Sequence, residues 1–192
     1  MKRLFTIFAI CLCFTAFSQP VQTLRQRLSG FIEANGAMNL EKVLDYTYPK
    51  LFTIAPREQM VEMMKQSFNN EQMSIRLDSL KTDSIYPVFS MQEGSYAKIR
   101  YSMKMIMQLK NTDADQKKKD AEAIRAAMQS QLPAGRSFID SSGDIIIYTS
   151  SVMVAAKDKQ SKEWTFMNLK DGDQVVTQLF SKEILDKLAT YK

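Results

Sequence analysis

The sequence predicts an α+β domain: N-terminal helices packed on a curved, mainly antiparallel β-sheet, with an extra helix between strands and a short C-terminal helix. Three observations carry this expectation. Apolar residues recur at helical spacing through the first third of the chain. From Tyr96 to Leu109 they alternate instead with a period of two, as in a strand with one buried and one solvated face. Further strand-like runs follow, each bounded by turn residues.

Val21, Leu24, Leu28, Phe31 and Ile32 fall on one side of a first helix, and Asn35-Gly36 stops it. Asn39 can cap a short second helix carrying Leu40, Val43 and Leu44, which ends near Tyr48-Pro49. Pro56 suits the first turn of a third helix, where its missing N–H is no loss. Met60, Met63, Met64, Ser67 and Phe68 then form one stripe, closed by Asn69-Asn70. Met73, Ile75 and Leu77 alternate with polar residues in a strand that resumes, after a break, at Ile85 to Phe89. In the long strand the odd positions run Ala97, Ile99, Tyr101, Met103, Met105, Met107 and Leu109, and the even ones include Lys98, Arg100 and Lys104. Asn111 to Leu132 reverts to helical spacing, with Ala121, Ile124 and Met128 on its apolar side and Pro133-Ala134-Gly135 as its stop. A strand near Ser137–Ile139 turns through Asp140 to Asp144 into a strand from Ile145 to Ala156, apolar on both parities as a central strand should be. The polar Lys157–Lys162 hairpin leads to a strand from Trp164 to Leu169. Asp171-Gly172-Asp173 turns the chain, and Ser181 can cap a last helix carrying Ile184, Leu185 and Leu188.

The first eighteen residues read as a leader. Lys2 and Arg3 precede an apolar run from Leu4 to Phe14, and small residues Ala16 and Ser18 stand before Gln19. This is the three-part pattern of a signal peptide cleaved near Ser18-Gln19, so the product is expected in the periplasm or outside the cell. The run is too short for an uncleaved anchor, which needs roughly 20 apolar residues. A lipid on Cys11 or Cys13 would need small residues just upstream, which Phe8-Ala9-Ile10 and Cys11-Leu12 do not supply. Residues 19–192 then form a single domain, with no linker or repeat and no later stretch long enough to span a membrane.

The chain has no His, and its two Cys both lie in the leader. Ser-His and Cys-His catalysis, thiol redox chemistry and nearly all zinc, copper and haem ligand sets are thereby excluded, and no cofactor is expected. Removing the leader with Lys2 and Arg3 lowers the net charge from +5 to +3, too little to argue for nucleic acid. Lys117-Lys118-Lys119 lies among Asp113, Asp115, Asp120 and Glu122, a mixed-charge helix surface. Asp140 and Asp144 lack the ligand count of a calcium loop.

The candidate pocket residues are Tyr101, Met103, Met105, Trp164, Phe166 and Tyr46. Tyr101 is the only hydroxyl on the apolar face of its strand, either a donor at the bottom of a pocket or a core tyrosine bonded to backbone. The Met row could make an adaptable wall or fill an irregular core. Trp164 and Phe166 share a face with Asn168, and Asp45 beside Tyr46 brings a carboxylate near a phenol, although neighbours on a helix point about 100° apart. No Asp or Glu occupies an inward position of the 97–109 strand, where a general base would stand. On the outer face Lys98, Arg100 and Lys104 form a basic row that would repel a second copy unless carboxylates such as Asp78 offset it.

Leu44-Asp45-Tyr46-Thr47-Tyr48-Pro49-Lys50-Leu51-Phe52 before a Met-rich helix, Tyr96-Ala97-Lys98-Ile99-Arg100-Tyr101 on a strand and Glu163-Trp164-Thr165-Phe166 near the end resemble secreted bacterial proteins of the nuclear-transport-factor-like, SnoaL-like (cystatin-like) superfamily. The likeness covers nearly all of residues 20–190 and rests on packing residues. It implies a cone-shaped α+β fold, with the helix at 113–132 as an addition. The superfamily contains isomerases, cyclases, dehydratases, transport adaptors and proteins of no known activity, so fold alone does not choose among them. Its His–Asp chemistry is excluded here. The expectation is a non-catalytic domain that binds a small apolar molecule or a protein partner, including a second copy through the sheet. The alternatives are an isomerase-, cyclase- or dehydratase-type enzyme using a carboxylate and Tyr, and a structural or assembly subunit.

Overall fold

Residues 19–92, 94–110, 113–129, 136–170 and 172–191 are described by a computed structural model. The leader, the Pro133-Ala134-Gly135 stop and Asp171 lie outside the described residues.

Helix α1, Gln19–Gly36, turns Leu24 and Leu28 into the core and ends at the expected glycine. Asn39 caps α2, Leu40–Asp45, by accepting from the Lys42 N–H at 3.1 Å. A 3₁₀ turn at Pro49–Thr53 leads to α3, Arg57–Phe68, which begins just after Pro56. On α3 the buried residue is Val61, whereas Met63, placed by spacing in the stripe, is 55% exposed. Met60, Met64 and Phe68 stay half-buried because they face open space and not a packed core.

The sheet has six strands, curved and unclosed, with every pairing antiparallel. They are β1 (Met73–Ile85), β2 (Phe89–Met91), β3 (Gly94–Leu109), β4 (Arg136–Ile139), β5 (Ile145–Asp158) and β6 (Ser161–Asn168). The order is β1-β3-β5-β4, with β2 also on β3 and β6 also on β5. β1 runs through the expected break to Ile85, by register shifts between Asp78 and Lys81 and between Thr82 and Ser84, whereas the stretch expected to resume at Ile85 to Phe89 leaves the strand at 86–88 before β2 begins. Ser79 sits at the first of these shifts, at φ 55°. Such extra residues bend a strand and raise its twist. The edge of β6 is covered, because Tyr48 N–H donates to Phe166 O at 3.1 Å and Phe166 N–H donates to Tyr46 O at 2.7 Å.

Ala97, Ile99 and Tyr101 on the odd face of β3 share a core with Leu24, Leu28, Met153, Trp164 and Phe166. Farther along that face Met107, Ile145 and Ile147 meet Ala121 of α4, Ala114–Gln129, so the inserted helix covers one end of the sheet. The opposite face is less wet than alternation alone implies. Tyr96, Val154 and Ala156 lie beneath two helices, α5 (Gln174–Leu179) and α6 (Lys182–Ala189), where one was expected. The Asp173 carboxylate starts α5 by accepting from Val175 N–H at 2.8 Å. Ser181 takes the N-cap position of α6, but its hydroxyl makes no capping bond and accepts instead from Gln92 Nε2 at 3.1 Å. Among the described residues no helix is long and apolar enough to cross a membrane.

Candidate functional site

Between α3 and the odd face of the sheet lies a cavity of about 390 Å³. Strand alternation sends Tyr101, Met103 and Met105 of β3 into it, and the i, i+4, i+8 spacing brings Met60, Met64 and Phe68 of α3 to the opposite wall. Phe166 and Asn168 of β6 close one side and Leu77 and Leu80 of β1 another.

The polar feature of this cavity is built around Tyr101. Its phenol is 6% exposed and donates to Asn168 Oδ1 at 2.8 Å. Burial pushes the phenol above its ordinary range, against hydrogen bonds to Ser151 and Asn168 that pull it down. Tyr101 is therefore a neutral donor at physiological pH, with a side-chain partner and not the backbone partner of the plain core reading. Among the described residues the one charged group lining the cavity is Asp173, whose carboxylate already caps α5.

Four of the six candidate residues thus border one space: Tyr101, Met103, Met105 and Phe166. Trp164 and Tyr46 border another. Trp164 is 2% exposed under α1, with Nε1 donating to Thr23 Oγ1 at 3.3 Å. Tyr46 carries the Arg27 guanidinium 4.4 Å from its ring centroid, and Arg27 in turn pairs with Glu163 at 3.0 Å. Both rings line a surface groove beside Arg27 and Lys162. Asp45 points away to pair with Arg57 at 2.7 Å.

The charged features resolve into surface and turn chemistry. Lys104 is offset by Asp78 at 3.1 Å, Lys98 donates to Tyr191 O, and Arg100 lies 5.9 Å from the Tyr86 ring centroid. Asp140 Oδ1 accepts from the Ser142 and Asp144 N–H groups, holding the turn, while Asp144 pairs with Lys117 at 3.0 Å. Among the described residues no group of three or more acidic side chains could hold a metal ion.

The sequence reading missed one constellation. Asp158 at the end of β5 stands with Tyr48 and Tyr96 on the far face of the sheet, so a carboxylate and phenols do meet, away from Tyr101. The usable signal was Tyr96, an aromatic residue at an even, nominally wet position. A scan of family models and a search of curated proteins return no match to this chain, so the geometry itself carries the functional argument.

Proposed function

We propose that the domain binds a small, uncharged, largely apolar molecule in the methionine-lined cavity. The observation that carries this reading is the cavity itself: about 390 Å³, walled mostly by Met, aliphatic and aromatic side chains, with the Tyr101–Asn168 pair, Asn35, Thr47 and Asp173 as its polar members. Methionines adapt to irregular apolar shapes, which suits a binding wall. Among the described residues no Lys or Arg lines the space, so a carboxylate-bearing ligand would meet no counter-charge there. A carbonyl or hydroxyl on the ligand would accept a hydrogen bond from the Asn168 Nδ2–H, since the carboxamide oxygen is already engaged by Tyr101. Binding is favoured over proton transfer because Asp173 is committed to its helix.

N-phenyl-1-naphthylamine, a neutral fluorescent probe, tests this. We expect saturable binding at one probe per chain, lost in Met64→Lys and displaced by decanol more readily than by decanoate. Non-saturable fluorescence, or full binding by a folded Met64→Lys variant, overturns the reading.

We also read residues 1–18 as a signal peptide and the chain as an exported relative of the nuclear-transport-factor-like, SnoaL-like superfamily. Helices preceding one curved open sheet over a cavity support that placement, and a secreted product whose mass begins at Gln19 tests the export. A second reading, docking of another copy on the outer sheet face, is favoured by Phe138 and Tyr148. Their rings stack 6.1 Å apart yet stay 48% and 41% exposed. Light scattering checks it: a dimer that Tyr148→Lys dissociates supports docking, and a monomer at high concentration rules it out.

A further inference from the structure

On the opposite side of the sheet from the methionine cavity, a cleft of about 570 Å³ opens between the β5–β6 hairpin and the loop joining α5 to α6. Its centre is Asp158. The Oδ2 atom accepts from Tyr48 OH at 2.7 Å and more loosely from Tyr96 OH at 3.4 Å, while Oδ1 accepts from the Gln160 N–H at 2.8 Å. All three donors are neutral. Burial, reinforced by Asp158, pushes both phenols above their ordinary range, so they remain protonated. Neutral donors orient a carboxylate without cancelling its charge. Among the described residues no cation forms an ion pair with Asp158.

The same cleft is lined by two ammonium groups, Lys50 and Lys159. Lys50 Nζ is held at the end of α5, donating to Leu179 O at 3.0 Å and Gln178 O at 3.5 Å. Those two bonds leave its third proton for a ligand. The carboxamides of Gln92, Gln160 and Gln178 line the same cleft.

We propose that this cleft is a second binding site, for a short zwitterionic peptide whose ammonium end sits on Asp158 and whose carboxylate end sits between Lys50 and Lys159. A simple cation would meet Asp158 but also two ammonium groups, and a simple anion would meet the reverse. A ligand carrying both charges satisfies both. Peptide amides between the ends match the carboxamide side chains, each of which donates and accepts. The volume exceeds that of the apolar cavity, and the charged groups of its lining, Asp158, Lys50 and Lys159, suit a different ligand.

Triglycine is the probe, because it has both charges, two amides and no side chain to find the apolar cavity. Titrated into the full domain by calorimetry and amide NMR, it should bind saturably at one per chain and shift the Gln160 and Gln178 signals. N-acetyl-triglycine and triglycinamide should each bind at least about tenfold more weakly. Asp158→Asn keeps the shape and should erase the penalty for acetylation alone, and Lys50→Met with Lys159→Gln should erase the penalty for amidation alone. If Asp158→Asn does not fold, the three peptides on the unaltered protein decide by themselves. Absence of saturable binding, equal binding of the three peptides, or shifts confined to Met64 and Met103 overturns the proposal. The Met64→Lys variant should bind triglycine unchanged, which separates this site from the apolar one.

Discussion

Replacing Tyr101 by Phe removes one hydroxyl and nothing else from the cavity. The lost bond is the 2.8 Å donation to Asn168 Oδ1, together with the hydrogen bond to Ser151. Asn168 is exposed and Ser151 half-buried, so water can reach both partners left behind. The change should therefore cost about 1 kcal/mol, the ordinary net worth of a hydrogen bond, and not the larger penalty of a buried orphan. Alkaline pH makes the test sharper. Burial holds the phenol above its ordinary value of 10.0 in the folded chain, while the unfolded chain ionises there. Above that pH the folded state keeps a proton the unfolded state has lost, so stability falls as pH rises. The Tyr101 contribution is thus present below that pH and is lost as pH rises past it. The Phe variant escapes this loss at position 101, and Tyr48 and Tyr96, raised for the same reason, lower both curves alike. Urea unfolding from pH 8 to 11 should show the wild-type advantage shrinking as pH rises. A difference that stays constant across that range would refute the buried, neutral phenol.

Leu188 of α6 is fully buried against the sheet, and Leu188→Ala should lower stability by about 2–5 kcal/mol in urea unfolding. A negligible change would mean that α6 does not seal the sheet. Lys117→Met leaves the nearly buried Asp144 carboxylate with Gln108 as its side-chain donor and should cost about 2 kcal/mol. Adding Asp144→Asn should recover part of that loss, and a thermal melt showing none would mean that the pair matters only for packing. Gly30→Ala would ordinarily stabilise a helix interior by about 1 kcal/mol. Here the new Cβ would lie 2.8 Å from Tyr46 Cζ and closer still to its hydroxyl, so the variant should be destabilised and should lose the Arg27–Tyr46 stacking, which chemical shifts of the Arg27 side chain would report. A more stable variant would place Tyr46 elsewhere.

The legible parts of the fold are those whose pattern is set by one element alone. β3 was readable because its pleat repeats without a bulge, so the parity of Ala97 still holds at Met107. The Met60, Met64 and Phe68 stripe was readable from helical spacing, though spacing could not tell a packed face from one looking into a cavity. The strand between Asp78 and Ile85 was not legible because the bulges of β1 reset the parity near Ser79, and alternation at Met73–Asp78 says nothing of Lys81–Ile85. Helix α5 escaped notice because six residues with paired valines show no period, and Asp173 alone marked its start. Trp164 has the same parity as Phe166, yet two residues along a strand move a side chain roughly 6–7 Å, here from the cavity to the underside of α1. The Asp158 cluster joins residues 110 and 62 positions apart, a distance that no local pattern encodes.

The cluster beneath α5 and α6 has a consequence for how the chain reaches its final state. Tyr48, from the first third of the sequence, shares that cluster with Val154 in the middle of the sheet and Leu188 near the terminus. A chain made from its N-terminus exposes Tyr48, Tyr96 and Val154 until the last dozen residues arrive, whatever the sheet has already formed. Premature stops after β6 would therefore leave a paired sheet with one greasy side bare, a species prone to self-association and to proteolysis. Even a modest C-terminal truncation should thus be felt as a loss of yield before it is felt as a loss of shape.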